Sequence, residues 1–454
     1  MLNLPIRSVE PAESPYNALG LKGLPFPDPP VANPYSHDPR QNGAIYATSP
    51  VVAEIDKFER LLIRPNDFSN RARLAYLWSK GDQQSGRGIG KTALLRYFQQ
   101  RINQDWGATE FKGRFSAAVI YVSFPSQVGR RYMEQLAWSA LVDICRNGVL
   151  GASRAVLRLY ALTDEQAKAI LTDPDGRQNA INLLNDEILV SNGVQPDALD
   201  SGIADHLKKQ GVQPSVATAL AAGSFEDYLR SLRKDGNLEP FYVLYDTKGL
   251  GIAKSLLFND MVYYLRAAGF AGGYLFIDDI ENLVDQMTRK HRLEFAKEFG
   301  LCTVRPGYAN TTHNFFSNVL TTHQQASVGL AQAWGEAGLS SFARLDPTSP
   351  NSVELPLPSQ DQARDIIVAH LDYYRTDPID SGTVKPSTEE GIATLLGTPG
   401  MSHPRVLIRT AAEIVSKAAA DGVTTIDASI VKAAIDGSPP IAIPDPTEGL
   451  ADAL

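Results

Sequence analysis

The 454-residue chain predicts an α/β fold in which a parallel sheet is flanked by helices, with a helical insertion and a C-terminal helical lid. Three observations predict it. Short apolar runs of strand length alternate with stretches of helical spacing. One run leads into a Gly/Ser loop that opens a helix, and another ends in two acids. Beyond residue 358 helical patterns alone remain. Strands that alternate with helices build parallel sheets covered by their own crossovers.

Residues 1–44 are rich in Pro, Asn and Ser (FPDPPVANPYSHDPRQN) and lack any period, so they read as an extended arm over the core or a partly disordered lead-in. The stretch 49–63 opens with Ser-Pro and carries Val52, Ile55, Phe58, Leu61 and Leu62 at helical spacing. RLAYLWS at 73–79 reads as a strand. A helix begins at Lys91 with Leu94, Leu95, Phe98 and Ile102 on one face, and SAAVIYVSF at 116–124 is a second strand. Helices follow at 131–146 and through most of 150–240, where DPDG, NGVQPD and KDGN break the pattern. A helix at 251–268 precedes GYLFIDDI at 273–280, a strand ending in acids. Strands at 314–322 and 352–357 complete the set, and helices are expected at 359–375, 388–396, 404–420 and 426–435. The domain reading is an arm (1–44), a core (45–357) with the insertion at about 150–240, a lid (358–437) and a loose tail (438–454).

Composition excludes several classes. Hydrophobic residues make up 43% and charged residues 21%, the profile of a globular protein rather than a disordered one. There is no run of eighteen apolar residues to suggest a membrane span, and MLNLPIRSVEPAESP lacks a signal peptide's apolar stretch. Cys145 and Cys302 stand far apart without a CxxC pattern, against a disulfide framework or zinc and for a cytoplasmic setting. A net charge of −8 leaves no global attraction for nucleic acid. Arg289-Lys-His-Arg292 reads as a solvated helix face.

Two motifs carry chemistry. Ser85-Gly-Arg-Gly-Ile-Gly-Lys-Thr92 resembles the Walker A pattern G-x-x-x-x-G-K-[ST], with Ser85 where the first glycine is usual. A phosphate cradle needs backbone N–H groups aimed inward and no Cβ in the way, and a following helix adds its positive end. Gly86, Arg87, Gly88, Ile89, Gly90 and Ala93 would then line the phosphates. Lys91 would reach the β- and γ-phosphates, and the Thr92 hydroxyl would reach Mg²⁺. Tyr274-Leu-Phe-Ile-Asp-Asp-Ile280 matches a Walker B strand. Asp278 would hold the Mg²⁺ shell, and Asp279, or Glu281 in its place, would polarise the attacking water.

With both motifs the chain resembles AAA+ P-loop ATPases, nearest to the origin-recognition-like, transposition-helper and phage-defence branch. The resemblance implies ATP and Mg²⁺ as ligands, Ile45 and Tyr46 against the adenine, and Thr322 or else Asn318 as the strand-end sensor. It also implies that Arg344 reaches a neighbouring subunit's nucleotide. In Gly400-Met-Ser-His-Pro-Arg-Val-Leu-Ile408, Arg405 matches the lid arginine that folds onto the γ-phosphate. The two motifs stand roughly 185 residues apart, which makes 150–240 an insertion. The chain stops soon after the lid, so no winged-helix DNA-binding domain is expected. An aromatic-glycine pore loop is missing, Ser126-Gln-Val-Gly129 standing there instead, which speaks against a remodelling motor. Two functions stay open: an ATP-dependent assembly switch in a DNA-associated process (replication initiation, transposition or phage defence), or a nucleotide-binding scaffold with little hydrolysis. Partners would be further copies of the chain or products of its operon; no residue names DNA as a ligand.

Overall fold

A computed structural model describes residues 14–32, 36, 38–65, 70–81, 86–103, 116–123, 132–170, 184–233, 253–282, 287–305 and 315–437. Ser85, the 126–129 segment, the first residues of the arm and the 438–454 tail lie outside the described residues. Among the described residues no helix is long and apolar enough to cross a membrane. They divide into two compact units, one from 54–83 and 98–354, the other from 14–53, 86–97 and 355–437.

The first unit is built on five strands: β1 (Leu74–Ser79), β2 (Ser116–Ser123), β3 (Phe270–Asp278), β4 (Phe316–His323) and β5 (Ser352–Leu355). Their order is β2-β3-β4-β1-β5. The β2–β3, β3–β4 and β4–β1 pairs are all parallel. Every residue of β1 and β4 is buried, as inner strands covered by helices on both faces require. The apolar runs of the sequence are these strands. Parallel pairing also puts the carboxyl ends of β1, β3 and β4 at one edge, the place where open α/β sheets bind ligands.

Helices α1 (Val52–Leu62), α2 (Lys91–Arg101) and α3 (Tyr132–Arg146) are followed by a helical stretch of α4 (Val149–Ala161), α5 (Asp164–Ile170), α6 (Asp186–Ser191), α7 (Pro196–Gln210), α8 (Pro214–Ala222) and α9 (Phe225–Ser231). Then come α10 (Ala253–Ala267), α11 (Arg289–Phe299) and α12 (Gln324–Glu336). The α4–α9 stretch has the punctuation that its sequence announces: α7 and α8 start on proline and end on the left-handed Gly211 and Gly223. It also holds a buried arginine, Arg158, paired with Asp200 and with the exposed Asp186, each at 2.7 Å. Near the α12 end of the sheet, Trp334 donates to the Tyr76 hydroxyl (2.9 Å), which donates to the Ala343 carbonyl (3.0 Å). On α11, Arg289 pairs with Glu336 at 3.0 Å and Lys290 stands in solvent.

One polar group in this unit is out of keeping with its surroundings. Asp260 of α10 is 2% exposed and borders a small cavity walled by Leu141, Ile144, Val216, Phe225 and Tyr264. Its Oδ1 accepts from the Gln213 N–H at 3.3 Å, while Oδ2 has no partner. Burial pushes this carboxyl up to about 7, against the Gln213 bond, which lowers it. The folded state therefore keeps a proton that the unfolded chain releases near its ordinary value of 3.8. Stability is fully present below that value and is lost as pH rises to about 7. Asp260→Asn removes the ionisation, so the variant should gain stability at pH 8 by up to about 4 kcal/mol relative to wild type, less than half of that at pH 5, and little below pH 4. Thermal unfolding across that range checks it; parallel pH profiles would exclude a buried titrating Asp260.

The second unit joins the arm to α13 (Gln360–Tyr374), α14 (Glu389–Leu396), α15 (Pro404–Ala420) and α16 (Ala428–Gly437). Leu19, Leu21 and Phe26 of the arm pack in one cluster with Ile367, Leu371 and Leu407. Arg40 grips Asp38 and donates to the carbonyls of Leu24 (2.7 Å) and Phe26 (3.2 Å). His370 of α13 donates to the Pro25 carbonyl at 3.1 Å, and burial holds its ring down at about 4, hence neutral. The arm, although aperiodic, is thus a built part of the helical unit.

Candidate functional site

The glycine loop runs directly into α2, whose first residues, Lys91 to Tyr97, belong to the second unit. Lys91 is buried, and its Nζ donates to the Gly86 carbonyl at 2.7 Å, so the ammonium closes the loop on itself. Gly88 has φ +76°, a conformation side chains rarely adopt. A Cβ there would stand 2.7 Å from His403 Cε1 and 3.0 Å from Arg405 Cβ and Nε. His403, which precedes α15, donates from Nε2 to the Arg87 carbonyl at 2.7 Å. The first turn of α15 therefore rests on the loop, with Pro404 fixing its start and Arg405 beside Gly88. Ile89 is buried, and Thr92 and Ala93 sit half-buried on the first turn of α2. Ser85 cannot be placed, since it lies outside the described residues.

This packing makes a prediction. Gly88→Val adds both a strained φ and a collision, so it should lift His403 and Arg405 off the loop and cut nucleotide affinity at least tenfold while the helices stay folded. Equilibrium titration with a fluorescent ATP analogue, beside circular dichroism, measures it. Unchanged affinity would mean that the loop needs no such close approach.

The segment before α1 lies on α2. Gly43 (φ +89°) leaves no room for a Cβ, which would meet the Arg96 backbone at 2.7 Å. Ile45 is buried, with its N–H on the Pro39 carbonyl at 3.2 Å. Tyr46 is half-buried and stacks on Tyr97, ring centroids 5.1 Å apart at 29°. Ile45 is thus a packing residue, and Tyr46 offers an aromatic face beside the helix that the loop opens.

In the first unit, β3 ends at the buried Asp278. Thr321 of β4 donates from Oγ1 to Asp278 Oδ1, and the same oxygen accepts from the Asp279 N–H at 2.9 Å. Asp279 has φ +56°, left-handed, and is the one non-glycine with positive φ among the described residues. Such a conformation costs about 1 kcal/mol or more and persists where surrounding bonds enforce it. Here the Thr321 bond and an Asn282 N–H to Asp279 carbonyl bond (2.9 Å) do so. Glu281 is buried one turn further on.

The strand-end sensor is where placement departs from expectation. Thr322 Oγ1 bonds to its neighbour's carbonyl, His323 O, at 3.3 Å. Asn318 donates to the carbonyls of Arg73 (2.9 Å) and Thr303 (3.3 Å) and so braces the backbone. The hydroxyl that meets the acids is Thr321. Ile277 pairs with Leu320, so the next residue of each strand, Asp278 and Thr321, stand side by side. Adjacent residues on a strand project to opposite faces, and a one-residue choice exchanges them. The tandem Thr-Thr was a visible signal, but nothing local says which one faces β3.

Arg344 lies on a backbone held by the buried Tyr76 and the half-buried Asn351. Tyr76 bonds the Ala343 carbonyl, and Asn351 Nδ2 bonds the Phe342 carbonyl at 3.2 Å. Its side chain is 64% exposed and pairs loosely with Asp346 at 3.3 Å. Arg405 is half-buried at the loop. His403 had no role in the sequence reading, although it stands inside the motif that carries Arg405. Comparison with protein-family models, curated proteins and solved structures gives no match for this chain.

Proposed function

We propose that the protein is an AAA+-like P-loop ATPase that binds ATP with Mg²⁺ and uses it as an assembly switch. The observation that carries this reading is the loop Gly86–Thr92, closed by Lys91 and barred to side chains at Gly88. A glycine loop at a helix N-terminus, with a buried lysine and an arginine of a second helix beside it, suits a polyphosphate. Further support comes from the sheet: β1, which leads to the loop, and β3, which carries the acids, run parallel with β4 between them.

The donor set suits Mg²⁺, which takes one or two carboxylates plus substrate phosphates rather than an all-protein cage. Thr92 and Asp278 would hold it, and it would neutralise charge on the phosphates. Thr321 orients Asp278, and Asp279 or Glu281 orients the attacking water. Tyr46 covers the base. Arg405 reaches the phosphates from its own chain, whereas Arg344, exposed on an anchored backbone, serves a neighbouring copy. A DNA-associated setting rests on family resemblance alone.

A scaffold with little hydrolysis is the second reading, and Asp279 favours it, being one methylene shorter than the glutamate many relatives of this class keep there. The deciding experiment measures phosphate release and light scattering across protein concentrations, with and without ATP and duplex DNA. Turnover should rise with concentration as ATP drives assembly, and Arg344→Ala should lower turnover and assembly at least tenfold with nucleotide affinity nearly intact. ATP binding without turnover under every condition would favour the scaffold. No ATP binding would end the P-loop reading.

A further inference from the structure

We propose that His403 is a phosphate-linked proton acceptor: it latches α15 to the loop through the Arg87 carbonyl and takes up a proton when a nucleoside triphosphate enters. The proposal rests on the P-loop reading and adds to it a titrating group that the motifs do not assign.

The latch fixes the tautomer. A carbonyl oxygen accepts, so the Nε2 facing Arg87 at 2.7 Å carries the hydrogen. In the neutral ring Nδ1 then has a bare lone pair, and it makes no hydrogen bond to any described residue. Protonation at Nδ1 leaves the latch intact, so the ring can gain charge without releasing the loop. Gly88 brings the loop against the imidazole edge, since a Cβ there would lie 2.7 Å from Cε1.

The surroundings set the direction of the response. The charged groups that face the ring are Lys91 of α2 and Arg405 of its own helix, both cationic. Burial is the largest influence on the ring and lowers its proton affinity, both cations lower it further, and the Arg87 carbonyl opposes them. These influences together favour the neutral ring. A bound triphosphate brings several negative charges to the loop that Lys91 closes. An opposite charge within a few ångströms raises an imidazole's proton affinity by about one unit or more. The bound state then holds a proton that the free state lacks, and by linkage nucleotide binds more tightly as pH falls through the bound-state value. Pro404 starts the helix and the His403 side chain caps none of its N–H groups, so the ring is left to reach the loop.

The test uses the full chain with saturating Mg²⁺ and a non-hydrolysable ATP analogue. Calorimetry in buffers of different ionisation enthalpy gives protons taken up per nucleotide, and titrations from pH 6 to 8 give the slope of affinity. Wild type should take up a substantial fraction of a proton near pH 7, and its affinity should fall severalfold across the range. His403→Gln keeps a donor for the Arg87 carbonyl but cannot titrate there. It should bind with the extra uptake and slope removed, and the difference between the proteins cancels the nucleotide's own titration. Among the seven histidines, the ring resonance lost in His403→Gln should move to higher pKa with nucleotide in the wild type. Equal uptake and slope in both proteins, or an unmoved resonance, overturns the proposal while the P-loop reading stands. Failure of the wild type to bind the analogue overturns both.

Discussion

Lys91→Ala is expected to weaken ATP binding by two orders of magnitude or more and to leave the fold standing. The buried Lys91 ammonium is held by the Gly86 carbonyl, at the entry to the cradle. In the proposed complex it exchanges that carbonyl for β- and γ-phosphate oxygens, and a hydrogen bond to a charged group contributes about 1.5–3 kcal/mol. Two such bonds amount to roughly a hundredfold or more in affinity. The same substitution removes the lysine bond to the Gly86 carbonyl, which costs loop order rather than the core, because the helix continues through the buried Leu94, Leu95 and Phe98. Lys91→Arg should recover only part of the loss, since a planar fork does not take the place of a compact ammonium inside a tight loop. Fluorescent-analogue titration beside thermal unfolding separates binding from folding. An affinity within twofold of wild type would remove the loop from the nucleotide site.

The legibility of this chain follows from what is local. β1 could be read because an inner parallel strand is apolar along nearly its whole length, β4 from Phe316, Val319 and Leu320 set among polar residues, and α13 to α16 because their apolar faces recur at helical spacing. The turn into α2 could be read because glycines at 86, 88 and 90 break any period just before a helical pattern begins at Lys91. Three features could not. Thr321 and Thr322 differ only by the face they take, and that depends on pairing with β3. His403 stands among loop residues and acquires meaning only because α15 rests on Arg87 and Gly88. The arm's Leu19, Leu21 and Phe26 are too sparse to make a period, yet they complete the apolar cluster of α13 and α15. In each case the information lies in a partner distant in sequence.

The acid end of β3 carries the largest expected effect on chemistry, and two comparisons define it. Asp279→Asn preserves size and tolerance of the left-handed conformation, so the turn set by φ +56° and the bond to Thr321 should persist. What it removes is the carboxylate that would orient the attacking water in the proposed reaction. General-base contributions are about 10²- to 10⁴-fold, so turnover should fall by roughly a hundredfold at least while ATP and Mg²⁺ affinity stays within a few fold. If Asp279→Asn turns over normally and Glu281→Gln does not, the buried Glu281 is the base. The second comparison sets Thr321→Val against Thr322→Val. Valine copies the shape of threonine but not its hydroxyl. At 321 the change removes the hydroxyl that the Asp278 carboxylate and the Asp279 N–H share, and a hydrogen bond to a charged group contributes about 1.5–3 kcal/mol. Asp278 should then lose its aim, raising the Mg²⁺ concentration needed for turnover and lowering kcat together. At 322 the hydroxyl reaches only the adjacent carbonyl, so its loss should leave both within about twofold. Magnesium-dependent phosphate release for the pair decides the matter: a silent Thr321→Val beside a crippled Thr322→Val would return the sensor role to Thr322 and leave the Thr321 bonds as strand packing.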